Sequence, residues 1–270
     1  METFYVGKMN ERSQIVEIVN RIKIYSMPLL TVSYHRFKDP ETVDYLFNTA
    51  FRDIQGLELT SVSFSDEDVQ GYVIERLANS DILKLTLDSC EWVTAEIISQ
   101  LLRGGEREIK LIACELPTQF YLDLSQFIFP LCRSFEVEEE EGGQYIPITF
   151  MHKLDEIFPN LEHLTMNNFD IWPAVLLVAK LPPRLLSLTL KENPQLVVDD
   201  FWQRYFTGYF NRLPLLTSLK LDEDLVEVSD FIGKRGMIAL VQSKLRWGRS
   251  SEIRKIPWEL FRMINHFLFQ

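Results

Sequence analysis

The stretch that decides the fold is Leu185-Leu186-Ser187-Leu188-Thr189-Leu190-Lys191-Glu192-Asn193-Pro194-Gln195-Leu196. Its leucines at 185, 188, 190 and 196, with Asn193 between them, set a spacing that recurs in both directions. Toward the N-terminus it returns as Leu161-x-x-Leu164-x-Met166-x-x-Phe169, Ile82-x-x-Leu85-x-Leu87-x-x-Cys90 and Ile54-x-x-Leu57-x-Leu59-x-x-Val62. Toward the C-terminus it returns as Leu216-x-x-Leu219-x-Leu221. Ile109-x-Leu111-x-x-Cys114 and Phe135-x-Val137 keep only the central pair, and Leu30-x-Val32 supplies a first copy. The equivalent positions 30, 57, 85, 109, 135, 164, 188 and 219 lie 27, 28, 24, 26, 29, 24 and 31 residues apart. A beat of about 20–29 residues marks a chain built from stacked supersecondary units.

In a strand, successive side chains point to opposite faces. Each Leu-x-Leu therefore sends both leucines inward and the residue between them outward. The Asn or Cys three positions later (Asn193, Cys90, Cys114) turns the chain and can bond the backbone of the adjacent unit. The rest of each unit must return to the start of the next strand, and these segments read as amphipathic helices. They are Ser65 to Leu77, Thr94–Leu102 with Ile97, Ile98 and Leu101, Tyr121–Leu131 with Leu122, Leu124, Phe127 and Ile128, and Asp200–Phe210 with Phe201, Tyr205, Phe206 and Tyr209 turned toward the core. Ser65 is the expected N-cap of the first, and Asp66, Glu67 and Asp68 suit the positive end of a helix. Pro117, Pro159, Pro182, Pro183 and Pro214 fall between helix and strand, where proline stops helix propagation.

The pattern resembles that of irregular leucine-rich-repeat proteins of the ribonuclease-inhibitor-like and cysteine-containing groups, from about residue 27 to 230. The resemblance implies an α/β solenoid with a parallel sheet on the concave side and helices on the convex side. Several members of those groups are F-box substrate receptors of cullin-type ubiquitin ligases, so it also implies protein binding and a ubiquitin-ligase adaptor as one partner. This chain departs from the regular pattern in its uneven unit lengths and in carrying Glu106 where the first leucine of a copy belongs. The expected organisation is an N-terminal capping helix over 1–26, seven to eight repeats over 27–235, and a C-terminal cap or docking helix over 236–270.

Composition narrows the function. The formal charge is −11, from 39 acidic and 28 basic residues. A nucleic-acid binder needs clustered Lys and Arg to displace condensed counterions, so no nucleic-acid partner is expected. The apolar run Ala174 to Ala179 is far too short to span a bilayer, and no membrane association is expected. Three cysteines cannot all pair and show no metal-type spacing, which suits the cytoplasm or nucleus. No cofactor is expected: the chain lacks G-x-G-x-x-G, a phosphate loop and G-x-S-x-G. His35, His152, His163 and His266 are scattered without paired ligands; His152 and Asp155 are three apart, on one face of a helix if one forms there. His163 should face outward. We therefore expect no catalytic residues and no metal site.

The outward strand residues are the candidate partner-binding surface: Glu58, Thr60, Thr86, Asp88, Lys110, Ile112, Glu136, Glu138, Thr165, Asn167, Thr189, Lys191, Lys220 and Asp222. Seven strands at about 4.8 Å spacing make a face about 29 Å wide, comparable with a standard interface. Charge reversal at Glu136 and Glu138 together is expected to weaken a partner complex while leaving the melting temperature nearly unchanged, because interface charges set encounter rate and register. The run Glu138 to Glu141 reads as an exposed acidic loop. Residues 11–25 place Ile15, Ile18, Val19 and Ile22 on one helical face, as a cap or as a partner-binding helix. Residues 256–270 start a helix at Pro257 and carry Glu259, Leu260, Ile264 and Phe267 in an apolar stripe. They also resemble the opening helix of an F-box, so the segment is either a cap or a docking helix. The basic stretch Lys244 to Lys255 precedes it. The favoured function is a non-catalytic protein-interaction module, possible ligase substrate recognition included. A structural adaptor or inhibitor subunit of another complex, and an enzyme with a concave-face pocket, are the alternatives.

Overall fold

Among the described residues, nine strands form one wholly parallel sheet in which strand order equals chain order. They are β1 Phe4–Val6, β2 Leu29–Ser33, β3 Gly56–Thr60, β4 Lys84–Asp88, β5 Arg107–Ile112, β6 Cys132–Glu138, β7 His163–Asn167, β8 Ser187–Leu190 and β9 Ser218–Leu221. The structure, a computed structural model, describes residues 4–6, 29–49, 51–52, 54–139, 144–170, 179–191, 213 and 215–221. The positions spaced by the sequence beat lie directly opposite one another: Leu30, Leu57, Leu85, Ile109, Phe135, Leu164, Leu188 and Leu219 share one register. β1 adds a strand inside the segment read as a capping helix, so that reading is corrected for residues 4–6; residues 11–25 lie outside the described residues.

The inward residues merge into one core. Leu30, Leu57, Leu85, Leu87, Leu111, Phe135, Val137, Leu164 and Leu190 are all at most 1% exposed. Helices cover this face: α1 Pro40–Thr49, α2 Glu67–Ala78, α3 Ala95–Arg103, α4 Thr118–Leu124, α5 Ile148–Met151 and α6 Leu154–Ile157. From α1 to α5 each packs against the next. Two short parallel pairs, Arg36–Phe37 with Ser63–Phe64 and Gln144–Tyr145 with Phe169–Asp170, flank the main sheet.

The helix ends follow local chemistry. Thr94 caps α3, its hydroxyl accepting from the Ile97 N–H at 3.3 Å, and Ile97, Ile98 and Leu101 are buried as their spacing requires. The cap of α2 is Asp66, not Ser65: the carboxylate accepts from the Val69 N–H at 2.9 Å, while Ser65 donates its hydroxyl to Asp66 and to the Lys38 carbonyl. An ionised acceptor at the cap gains from the helix dipole, which a hydroxyl does not. The expected helix Tyr121–Leu131 is also corrected. It starts after Pro117 and stops at Leu124, and the Phe129 N–H goes to the Ile157 carbonyl instead of continuing the turn. Ile128, expected in the core, is 68% exposed. The segment 200–210 lies outside the described residues.

Glu106 leaves a gap in the inward row that Arg107 fills. Arg107 is 2% exposed, and its Nη2 donates to the carbonyls of Leu77, Ala78 and Ser80 at 2.6, 2.9 and 2.8 Å. These carbonyls lie at and just past the end of α2, where positive charge is favoured. Burial holds the guanidinium below the usual arginine range, with Asp81 opposing. Gly104 makes room, since a Cβ there would sit 1.8 Å from the Ala78 carbonyl oxygen.

Leu188 and Thr189 are chain neighbours on opposite faces, Leu188 at 2% exposure and Thr189 half-buried. Leu188→Ala is expected to cost about 2–5 kcal/mol in urea unfolding, as a large-to-small core change. Thr189→Ala should cost well under half of that. Equal effects would place Leu188 outside the core.

Candidate functional site

The same alternation that buries the leucines lines the opposite face of the sheet in rows. One row reads Glu58, Thr86, Lys110, Glu136, Thr165, Thr189 and Lys220 across β3 to β9. A second reads Thr60, Asp88, Ile112, Glu138 and Asn167 across β3 to β7. All of these but Lys220 are half-buried, as expected for a face with one side open. Lys191 is exposed just beyond β8, and its N–H donates to the Asn167 side chain at 3.2 Å. Thr31, next in line before Glu58, is fully buried, so the accessible part of the row begins at β3. Lys220 is placed by its backbone alone, while Asp222, the basic stretch 244–255, His266 and the docking-helix residues Pro257, Glu259, Leu260, Ile264 and Phe267 lie outside the described residues.

Much of the charge on this face is spent internally. Lys110 Nζ meets Glu136 at 2.7 Å and Glu138 at 3.6 Å, and Lys84 meets Glu108 at 2.8 Å. Near the strand starts Arg133 bridges Glu106 at 2.7 Å and Glu162 at 3.0 Å. Burial alone would lower the Lys110 pKa, but the hydrogen bond and charge of Glu136, with Glu138 behind them, leave it raised. Neighbouring parallel strands thus bring both Glu136 and Glu138 against one ammonium. His163 does face outward, its Nδ1 2.7 Å from the Ser187 hydroxyl.

The acidic run is not one exposed loop. Glu138 belongs to the face, and Glu139 is 6% exposed with its carboxylate accepting from the Leu116 N–H at 3.3 Å. His152 and Asp155 do not share a helix, because α5 ends at Met151 and α6 begins at Leu154.

The strand ends are built on a device that the leucine spacing does not announce. Tyr34, Ser61, Ser89, Ala113 and Asn168, each directly after a strand, take left-handed φ values between 47° and 63°. The N–H of each of the first four donates at 2.8 Å to the carbonyl ending the next strand, and that of Asn168 donates at 3.0 Å to the Lys191 carbonyl, one residue past β8. The cysteines extend this: Cys90 Sγ donates to the Leu59 carbonyl at 3.4 Å and Cys114 Sγ to the Leu87 carbonyl at 3.3 Å. Chain order places ring on ring beside these turns, from His35 to Phe37, Phe64 and Trp92. The recurrence of a short residue (Ser61, Ser89, Ala113) at the same step after each pair was the available signal.

Among the described residues no three His, Cys, Asp or Glu side chains converge as a metal site requires, and no helix is long and apolar enough to cross a membrane. The chain matches no family model, and no curated protein matches it.

Two outcomes follow. Glu136→Lys opposes like charges across adjacent strands, which costs about 0.2–1 kcal/mol per pair. It should lower stability more than Glu136→Gln, and the gap should shrink in 1 M salt; a gap unchanged by salt would remove the Lys110 pairing. Burial pushes the thiols of Cys90 and Cys132 up to about 12 and that of Cys114 to about 11. The thiolate is the nucleophile, so at pH 8 the native protein should resist iodoacetamide, and denaturation should release all three cysteines. Rapid labelling of any one in the native state would contradict its burial.

Proposed function

We propose that the chain is a leucine-rich-repeat solenoid acting as a non-catalytic protein-interaction module, with the open face of its parallel sheet as the binding surface. The observation that supports this reading is the sheet itself: parallel strands in unbroken chain order, with the described helices all on one face. A doubly wound α/β sheet covers both faces and binds ligands where its strand order reverses. Here there is no reversal among the described strands, and from β3 to β8 the second face is regular, polar and half-buried. Its Thr86, Thr165 and Thr189 are short and hydrogen-bonding, so a partner backbone can approach without displacing long side chains.

Substrate recognition for a cullin-type ubiquitin ligase is the specific form the sequence resemblance favours. It rests on that resemblance and on the segment 256–270. The adaptor or inhibitor reading shares the same surface and differs in the complex to which it belongs.

The test is recovery of the tagged full chain from cells. Cullin and adaptor subunits in the recovered complex support the ligase form, and a different stoichiometric partner supports the adaptor form. Thr165 and Thr189 are adjacent in register, so the double variant Thr165→Tyr, Thr189→Tyr fills the middle of the face. It should weaken the partner complex at least tenfold while moving the melting temperature by only about 2 °C, since exposed strand positions contribute little to folding. A partner indifferent to substitutions across the whole face removes the face as the binding surface.

A further inference from the structure

Where β3 and β4 end, the molecule opens into a groove of about 560 Å³ whose walls include Phe64, Asp66, Glu67, Ser89, Glu91 and Trp92. The aromatic part of the wall is held in place. Phe64 and Trp92 meet edge to face at 5.2 Å, and the Trp92 indole N–H donates to the Val62 carbonyl at 2.9 Å. Behind them Phe64 stacks on Phe37. Both rings are half-buried, so each keeps some surface open to the groove.

The carboxylates differ in how far they are committed. Asp66 is the cap of α2; the Val69 N–H and then the Ser65 hydroxyl hold it below the usual carboxylate range, and Arg36 adds a weaker attraction. Glu67 and Glu91 have no cation within ion-pair distance among the described residues, unlike Glu106, Glu108, Glu136, Glu138 and Glu162. Fixed aromatic rings beside unpaired carboxylates form a surface complementary to a cation with a flat apolar face. Guanidinium stacks on aromatic rings, is weakly hydrated and hydrogen-bonds carboxylates through a rigid fork, whereas ammonium is a compact, strongly hydrated point charge. A chain of net charge −11 adds a long-range field of the same sign.

We propose that this groove binds an arginine side chain within a basic segment of a partner protein. The guanidinium lies against Trp92 and Phe64, with Glu67 and Glu91 as its counter-charges. This rests on the protein-binding reading above and gives it a second contact, at the edge of the sheet.

The test uses the full chain and fluorescein-labelled Gly-Ser peptides carrying three arginines, three lysines or three citrullines, read by anisotropy in 150 mM salt. The arginine peptide should bind at least fivefold more tightly than the lysine peptide, and the neutral citrulline peptide should not bind. Glu67→Gln with Glu91→Gln should weaken arginine-peptide binding at least tenfold. Trp92→Phe, which keeps a ring of smaller π-surface, should weaken it about threefold, with the melting curve reporting that the fold survives. The charge-neutral pair Thr165→Tyr, Thr189→Tyr should leave it within twofold. Equal binding of the lysine peptide, no binding of the arginine peptide at millimolar concentration, or indifference to the double glutamine variant each overturns the proposal. Peptide binding that persists while the sheet-face variant spares the partner complex rejects the sheet face and keeps the groove; the opposite result rejects the groove alone.

Discussion

No single unit of this chain can hide its own leucines, and this constraint governs the rest. A strand such as Lys84–Asp88 offers Leu85 and Leu87 to one side, and they become buried only because Leu57 and Leu59 lie on one flank, Ile109 and Leu111 on the other, with helices above. Each large apolar side chain removed from water contributes about 1.5–3 kcal/mol, but only in the company of its neighbours. The strand pitch is therefore the quantity held constant, and the return path is free to vary. α2 runs twelve residues, α3 nine, α4 seven and α5 four, while the register of the inward leucine pairs holds and, among the described strands, slips only between Arg107 and Glu108. Spacing that wanders between 24 and 31 residues is the consequence.

Constant pitch also needs the chain to leave each strand in the same way. A left-handed backbone at a non-glycine residue costs about 1–2 kcal/mol, and the structure places one after five strands. What it gains is an N–H aimed at a carbonyl at or just past the end of the next strand, and a direct exit toward the helical side. Buried carbonyls left without a donor cost about as much as the strain. The cysteine thiols at positions 90 and 114 satisfy two more carbonyls of the preceding unit. A small side chain that donates weakly and tolerates burial suits that place, which explains free cysteines with thiols pushed far above neutral pH.

The beat and the alternation were legible in the sequence because both are set by the strand, whose period of two leaves little freedom. From them follow the register of eight strands, the inward leucines and the outward row from Glu58 to Thr189. Local competition was harder to read. Ser65 and Asp66 are both competent caps, and the choice falls to the residue whose charge meets the helix end. Pro117 and the Phe129 N–H shift and shorten a helix that apolar spacing alone extends to Leu131. Long-range compensation was not legible at all. Arg107 takes an inward position because Glu106 vacates one, and its partners at Leu77, Ala78 and Ser80 lie about a whole unit away. β1 is too short to carry a periodic pattern, and only its pairing with β2 defines it.

The outward row shows why charge placement matters more here than charge count. Parallel strands set equivalent positions one pitch apart, so Lys110 beside Glu136, or Lys84 beside Glu108, pair across the sheet without any turn or loop to arrange them. Pairs of this kind at a surface are worth little to stability, but they remove the carboxylates from long-range attraction. The net acidity of the chain is then expressed where the pitch offers no opposite partner. The turns beyond β3 and β4 are such a place: Glu67 begins a helix and Glu91 follows a left-handed turn, and among the described residues neither has a cation within ion-pair distance. The sheet face carries threonines beside carboxylates that Lys84 and Lys110 offset in part, and at its edge Glu67 and Glu91 stand beside fixed rings with no ion-pair partner among the described residues. Under the proposed protein-binding function, contact with the first would depend on shape and hydrogen bonding, and contact with the second on charge. The two proposed surfaces would then constrain different properties of a complex, and one substitution could not stand in for the other.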